Sequence, residues 1–87
     1  MDYQIEFTAQ ARKDARKFEH DPLKEKILGL LSIISRNPFQ NPPPYEKIHD
    51  GEGNTYSRRI NAQHRLVYFV FKDKHIIRIL RMWTHYE

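Results

Sequence analysis

Three short stretches of the sequence carry residue types that suit chemistry on a phosphate. Residues 56–60 are Tyr-Ser-Arg-Arg-Ile, residues 64–68 are His-Arg-Leu-Val-Tyr, and residues 84–86 are Thr-His-Tyr. The first two stretches resemble β-strands, yet they carry arginines where a sheet normally holds β-branched residues. Because a half-buried cation is costly without an anionic partner, these arginines indicate an anion. In a small basic protein the residue types fit a phosphate, and they suit chemistry on RNA.

The rest of the pattern predicts the elements that must position these residues. Alternating apolar residues predict a strand over 2–7, and Thr8 can cap a first helix. Asp21 followed by proline marks the start of a second helix, which ends before Pro38. A short strand is predicted over 45–48 and longer ones over 55–61, 65–72 and 75–83. The predicted fold is a single α+β domain over residues 1–87, an antiparallel β-sheet with an N-terminal strand and two helices packed on one face.

The hairpin between the two arginine-bearing strands decides where their side chains point. A three-residue loop over 62–64 places Arg59 opposite Val67, with Arg59 and Arg65 on the same face. A two-residue loop would instead put the two arginines on opposite faces. The last strand adds three residues at alternate positions, namely Arg81, Trp83 and His85. Considered singly, each arginine also fits an ordinary solvated sheet face, on which its aliphatic stem packs and its charge meets water.

The composition of the chain limits the partners and cofactors that it is expected to bind. The chain of 87 residues has a net charge of +4 and a sequence pI near 9.5, which favours nucleic acid or an acidic protein as partner. It has no cysteine, and its histidines lack a shared ligand spacing, so neither a metal nor another cofactor is predicted. No signal peptide or membrane-spanning run is evident, so we expect a cytoplasmic protein without membrane contact. A separate basic surface is predicted on the first helix, at Arg12, Lys13, Arg16 and Lys17.

Five segments, taken in order, resemble one protein family. They are residues 38–39 (Pro-Phe), 45–48 (Tyr-Glu-Lys-Ile), 56–60, 64–68 and 85–86 (His-Tyr). Together they resemble the YoeB/Txe toxins, which belong to the RelE-like superfamily of bacterial type II toxin–antitoxin systems. The resemblance extends over nearly the whole chain. The family usually ends at His-Tyr, whereas Glu87 follows here, and the segment 81–84 before it is longer than the family's lead-in.

The resemblance implies an endoribonuclease that cuts messenger RNA in the ribosomal A site and so inhibits translation. Matched position by position, Glu46 falls on the family's general base, Arg65 on its phosphate-stabilising arginine and Arg59 on an accessory one. His85 and Tyr86 fall on the terminal acid pair. Further contacts to RNA are predicted for three residues, namely Arg58, Arg81 and Trp83. The four basic residues of the first helix are predicted to bind the ribosome.

The chemistry accounts for such a set without a metal ion. The 2′-hydroxyl of RNA can attack its own phosphate, so proximity comes largely from the substrate. A base such as Glu46 removes the hydroxyl proton, and Arg65 with Arg59 stabilises the charge of the transition state. His85 can protonate the leaving 5′-oxygen, because its ordinary pKa lies near neutrality. The predicted product carries a 2′,3′-cyclic phosphate.

The resemblance also implies partners, and two alternatives stay open. The implied partners are a YefM-like antitoxin, the ribosome with its mRNA, and operator DNA reached through the toxin–antitoxin complex. One alternative is a non-enzymatic relative such as the ParE-like toxins, which share the scaffold and inhibit gyrase. The other is an RNA- or ribosome-binding module that uses the basic first helix.

Overall fold

The computed structural model describes residues 2–49 and 53–83, with the backbone alone for Trp83, and contains two helices and five strands there. In chain order they are β1 (Gln4–Phe7), α1 (Ala9–Arg16), α2 (Leu23–Arg36), β2 (Glu46–Ile48), β3 (Thr55–Arg59), β4 (Arg65–Phe71) and β5 (Ile76–Trp83). The predicted order of elements is confirmed. Strands β3 to β5 are one or two residues shorter than predicted.

The five strands form one sheet in the order β1-β5-β4-β3-β2. Strands β2 to β5 pair antiparallel with their neighbours, but β1 runs parallel to β5, with Gln4 opposite Ile76. The α+β class is therefore confirmed, whereas the prediction of a wholly antiparallel sheet is wrong. The reason is connectivity: β1 leads into the helices instead of a hairpin, and a long crossover permits parallel pairing.

α1 begins where the sequence predicts, and α2 begins one residue later than predicted, at Leu23 with Pro22 as its N-cap. The Thr8 hydroxyl accepts the backbone N–H of Ala11 at 3.0 Å, which caps α1. The Asp21 carboxylate accepts the N–H of Leu23 at 2.8 Å, so it satisfies a free donor at the start of α2. Within the described residues, no helix has both the length and the apolar character that a bilayer crossing needs.

The helices cover one face of the sheet, and the core lies between the two layers. Alternate residues of β3 and β4 point into it, as expected for a period of two. The predicted central position of β4 is confirmed, since it is the middle strand of five. The buried core residues of the helices are Ala11, Phe18, Ile27, Leu30 and Ile34, and those from β3 onwards include Tyr56, Ile60, Leu66, Tyr68, Val70, Ile77, Ile79 and Met82.

A β-bulge interrupts the pairing of β4 with β5. Ile79 lies opposite Tyr68, but Arg81 lies opposite Val67, so Leu80 is an extra residue in β5. The bulge exchanges the two faces of the strand beyond this point. As a result Arg81 falls in the row of Val67 and Ser57 on the face away from the helices, whereas an unbroken alternation from Ile79 would place it with the core residues.

The start of α1 holds this bulge in place. β1 pairs with β5 only as far as Ile79, so the edge of β5 beyond it needs other partners. Thr8 donates its N–H to the Ile79 carbonyl at 3.1 Å and its hydroxyl to the Leu80 carbonyl at 3.2 Å. Asp14 accepts the Met82 N–H at 3.0 Å. The last part of β5 is therefore positioned by α1.

Candidate active site

The face of the sheet that the helices leave uncovered brings the predicted general base together with two of the predicted phosphate-binding arginines. Glu46 lies opposite Ser57, and Ser57 lies opposite Val67. Because paired residues point to the same face, these three form a row across β2, β3 and β4. In a neighbouring row Arg59 lies opposite Arg65. Arg59 and Arg65 thus share the open face, as the sequence predicts, and Glu46 lies on it with them.

Glu46 and Arg65 contact each other directly. Nη1 of Arg65 donates to Oε1 of Glu46 at 3.0 Å, and the two side chains are 28% and 72% exposed respectively. An ion pair this exposed contributes only about 0–1 kcal/mol to stability. The contact therefore matters chiefly because it orients a carboxylate and a guanidinium toward each other on an accessible surface.

A shallow depression of about 180 Å³ lies beside this ion pair. It combines one carboxylate with two guanidinium groups, which is a set that can bind a phosphate and hold a base next to it. Its lining residues are Pro44, Tyr45, Glu46, Ser57, Arg59 and Arg65. Pro44, Tyr45 and Ser57 were not predicted as site residues, since nothing in their types marks them before the fold brings them together.

The register of the arginine hairpin differs from the prediction, although the shared face is correct. Arg59 lies opposite Arg65, and Ser57 takes the predicted place of Arg59 opposite Val67. The turn closes one position earlier than predicted: Ile60 donates its N–H to the His64 carbonyl at 2.8 Å, and residues 61–63 form the loop. The Asn61 side chain fixes this turn by accepting the N–H groups of Gln63 and His64 at 2.8 and 2.7 Å. It also sets the two arginines directly across from each other.

The prediction that Arg58 contacts RNA is wrong. Its side chain points to the opposite face from Arg59, is 1% exposed and makes four hydrogen bonds inside the protein. The hydrogen bonds run to the Tyr68 hydroxyl at 3.0 Å and to the carbonyls of Pro43 at 2.6 Å, Pro38 at 3.0 Å and Gln40 at 2.8 Å. A guanidinium in this position cannot meet a phosphate from solution.

Arg58 instead fixes the proline-rich loop that leads into β2. Three of its acceptors are carbonyls of that loop, so it ties the segment before Glu46 to the sheet. The guanidinium also lies 5.0 Å from the ring centre of Tyr45. Burial raises the pKa of Tyr68, and the nearby Arg58 charge only partly opposes this, so its hydroxyl remains a donor to Pro38. Arg58, Tyr68 and the loop carbonyls thereby form a buried cluster that supports the depression from beneath.

Arg81 lies in an ion pair, and its predicted contact to RNA stays a prediction. Its Nε donates to Oδ2 of Asp14 at 2.9 Å, and its side chain is 34% exposed. Asp14 itself is fully buried and also accepts from Gln10 at 3.1 Å. Burial favours the neutral acid, but the hydrogen bonds from Arg81, Met82 and Gln10 outweigh it and lower the pKa of Asp14 below its usual value.

Sequence reasoning missed Asp14, although a signal for it exists. Asp14 falls three residues after Ala11 and four before Phe18, on the apolar stripe of α1. An acidic residue on a buried stripe needs a partner, and that expectation would have singled it out. The partner lies on β5, 67 residues further along the chain, so only the fold identifies it.

The other predicted residues are placed in part. His85 and Tyr86 lie outside the described residues, and for Trp83 the backbone register alone is known, opposite Arg65. Across residues 2–49 and 53–83, no group of three His, Cys, Asp or Glu side chains could hold a metal ion. The four basic residues predicted to bind the ribosome are exposed in the helical layer: Arg12, Lys13, Arg16 and Lys17.

Comparison with known proteins places this chain and its fold in a family. A protein-family model described as a YoeB-like toxin of bacterial type II toxin–antitoxin systems matches residues 7–86. Toxin YoeB of Synechocystis sp. is 32% identical over 85 residues, which are 95% of this chain and 96% of that protein.

Two solved structures are similar over almost their full lengths. A YoeB/ParE toxin from Agrobacterium tumefaciens has a TM-score of 0.84 at 26% identity, covering 95% of this chain and 99% of that one. A heterotetrameric YoeB–YefM complex from Staphylococcus aureus contains a chain with a TM-score of 0.79 at 35% identity, covering 99% of this chain and 100% of that one. The predicted resemblance is thereby confirmed, and the chain belongs to the YoeB-like toxins of bacterial type II toxin–antitoxin systems.

Proposed function

We propose that this toxin is a ribosome-dependent, metal-independent endoribonuclease that cleaves mRNA in the A site. The observation that carries the proposal is the Glu46–Arg65 contact of 3.0 Å in a depression that also contains Arg59. Ribonuclease activity is general among YoeB and RelE toxins, which supports the same assignment. The reaction would arrest translation by destroying the message on the ribosome.

The positions of Glu46, Arg59 and Arg65 support a role for each of them in the cleavage reaction. The phosphate of the scissile nucleotide binds between Arg59 and Arg65, which lie opposite each other on β3 and β4 and both line the depression. The phosphate competes with Glu46 for the Arg65 guanidinium, so the carboxylate becomes available to the neighbouring 2′-hydroxyl. Glu46 then takes the hydroxyl proton as the oxygen attacks phosphorus.

The arginines act most strongly in the transition state. Negative charge on the equatorial oxygens increases as the new P–O bond forms, and donors fixed on a sheet need little reorganisation to stabilise it. The P–O bond to the 5′-oxygen breaks as that oxygen receives a proton, for which His85 with Tyr86 is the sequence-predicted source. The products are a 2′,3′-cyclic phosphate and a free 5′-hydroxyl.

The proposed partners follow from the family and from the relatives. A YefM-like antitoxin would bind this toxin, since a similar chain occurs in a YoeB–YefM complex. The basic residues of α1 would contact ribosomal RNA, and operator DNA would be reached only through the toxin–antitoxin complex. Because its substrate is a message on a ribosome, the toxin would act in the cytoplasm.

The test is translation of one defined message in a cell-free system, with cleavage sites mapped by primer extension. Glu46→Gln should lower the cleavage rate by about 10²–10⁴-fold and Arg65→Ala by about 10²–10³-fold. The matched controls are Glu6→Gln and Arg78→Ala, which break a similar exposed ion pair of 2.7 Å on the far edge of the sheet. Both controls should cleave like the wild type.

The ends of the fragments test the mechanism. A 2′,3′-cyclic phosphate and a 5′-hydroxyl are expected, and cutting of ribosome-free RNA at high enzyme concentration should survive EDTA. A 5′-phosphate end or a requirement for Mg²⁺ would contradict the transesterification. Intact messages with the wild-type toxin would contradict the nuclease proposal altogether, and inhibition of gyrase would then be measured.

A further inference from the structure

A second groove adjoins the proposed active site. It lies between α2 and the proline-rich loop and has a volume of about 470 Å³. Its lining residues are Lys26, Gly29, Leu30, Ile33, Pro43, Pro44 and Arg59. Pro44 and Arg59 also line the depression beside Glu46, so the groove and the depression share a wall. A chain bound at one can continue into the other.

The groove has the charge and surface that suit a nucleotide. Two of its lining residues, Lys26 and Arg59, are exposed cations, and none of the seven is acidic. The remaining surface is apolar and partly flat, from prolines and aliphatic side chains. RNA recognition commonly combines cations along the backbone with an apolar or guanidinium plane against a base. A volume of this size also lies within the range of about 300–1,000 Å³ that is typical of small-molecule sites.

Gly29 provides an independent observation. It lies inside α2, where glycine costs roughly 0.5–1 kcal/mol relative to alanine. A Cβ built at this position would meet nothing within 4 Å, so no close packing requires a glycine. Because Gly29 has no side chain, the helix backbone itself forms the floor of the groove at this position.

A comparable groove on the other side of α2 differs in these respects. It also measures about 470 Å³, but it is lined mainly by apolar residues, includes the acidic Glu19 and shares no residue with the depression beside Glu46. Lys24 lines it, two positions before Lys26 on the same helix. The groove at Gly29 therefore differs from this one in two ways: it adjoins the proposed active site, and its charged lining residues are all basic.

We propose that the groove at Gly29 binds the substrate nucleotide adjacent to the scissile pair. The base packs on Pro43, Pro44 and Ile33 over the backbone of Gly29, while Lys26 and Arg59 meet the phosphates on either side of it. This assignment rests on the proposed ribonuclease function and extends it by giving the RNA a path from the depression along α2.

The test measures binding of uncleavable oligoribonucleotides by fluorescence anisotropy. The probes carry a 2′-deoxy sugar at the scissile position and are either a dinucleotide, which fills the depression alone, or a hexanucleotide. Gly29→Leu fills the groove, and Lys26→Glu reverses its charge. Each should weaken binding of the hexanucleotide about tenfold and leave the dinucleotide unchanged. For Lys26→Glu the slope of log K against log salt should also fall by about 0.7, the value of one phosphate contact on a single strand.

Controls separate this proposal from misfolding and from failure of the proposed function. Lys24→Glu makes the same charge reversal in the other groove and should bind both probes like the wild type. Thermal melting should show Gly29→Leu at least as stable as the wild type, since leucine has a higher helix propensity than glycine. Equal hexanucleotide binding by wild type, Gly29→Leu and Lys26→Glu, with Arg65→Ala impaired, would overturn the groove and keep the nuclease.

Two further outcomes would also decide the matter. If the wild type binds and cleaves no RNA, both the groove and the nuclease proposals fail. If Gly29→Leu and Lys26→Glu abolish binding of a YefM-like antitoxin while RNA binding is unchanged, the occupant is a protein segment and the nucleotide assignment is wrong.

Discussion

Arg58 and Arg59 are neighbours in the chain, yet they belong to two regions with opposite properties. Arg58 is 1% exposed and joins the sheet to the proline-rich loop through four hydrogen bonds. Arg59 is exposed on the other face and lines the depression beside Glu46. The hydrogen bonds of Arg58 fix the position at which β2 begins. Because β2 begins there, Glu46 lies within reach of Arg65 on the exposed face.

The comparison shows that the role of an arginine in a strand depends on the groups around its side chain. A buried cation was expected to need an anionic partner. At Arg58 carbonyl oxygens take that place, because they also accept hydrogen bonds from a guanidinium. At Arg59 and Arg65 the positive charge is left accessible, with Glu46 as the one carboxylate in the depression. Stability should therefore depend on the first region and catalysis on the second.

The largest expected effect on stability is that of Arg58→Met. The Pro43 and Gln40 carbonyls and the Tyr68 hydroxyl would lose the donor that Arg58 supplies, while the Pro38 carbonyl would keep the Tyr68 hydroxyl. Each buried group left unsatisfied costs about 1–3 kcal/mol. We expect the free energy of unfolding in urea to fall by at least ~3 kcal/mol. Arg59→Met is the matched control and should change it by less than about 0.5 kcal/mol. Equal losses for both variants would contradict the division into a structural and a functional arginine.

Asp14→Asn should have the next largest effect, of about 1.5–3 kcal/mol, because a buried charged acceptor for Arg81 and Met82 becomes neutral. The folded pKa of Asp14 lies below its ordinary 3.8, so the carboxylate stabilises the fold fully above that value and loses this contribution as the pH falls through the folded pKa. The stability difference between wild type and Asp14→Asn should therefore be constant near neutral pH and shrink below about pH 4. A difference that grows in acid would contradict this sign.

Tyr68→Phe should cost about 1–2 kcal/mol in the free energy of unfolding. The hydroxyl donates to the Pro38 carbonyl at 3.0 Å and accepts from Nε of Arg58, so its loss leaves that Nε without an acceptor and the Pro38 carbonyl with the Arg58 Nη2 donor alone. Combined with Arg58→Met in a double-mutant cycle, the two losses should be less than additive, because the variants remove a shared contact. Additive losses would show that the hydroxyl and the guanidinium act independently.

The smallest expected effect is that of the exposed ion pair at the site. A double-mutant cycle on Glu46 and Arg65 should give a coupling of about 0.2–1 kcal/mol in stability, as for other solvent-exposed pairs. The Glu6–Arg78 pair, with side chains 43% and 46% exposed, should give a similar value. A coupling above about 2 kcal/mol for Glu46–Arg65 alone would show that this pair is structural and weaken its assignment to catalysis.

Much of the molecule could be predicted from local patterns, since capping residues and apolar spacing act over a few positions. Thr8 and Asp21 mark helix starts by hydrogen bonds to residues two or three positions away. The shared face of Arg59 and Arg65 follows from the alternation of strands. The register between them does not, because it depends on how the Asn61 side chain closes the loop.

The sequence by itself determined the order of elements, the α+β class and the shared face of Arg59 and Arg65. Only the tertiary structure decided that Arg58 is structural, that β1 pairs parallel to β5, and that a bulge held by Thr8 and Asp14 places Arg81 in the row of Val67. The physical reason is sequence distance: these outcomes rest on hydrogen bonds between residues that lie from 10 to 72 positions apart, and no local pattern specifies such partners.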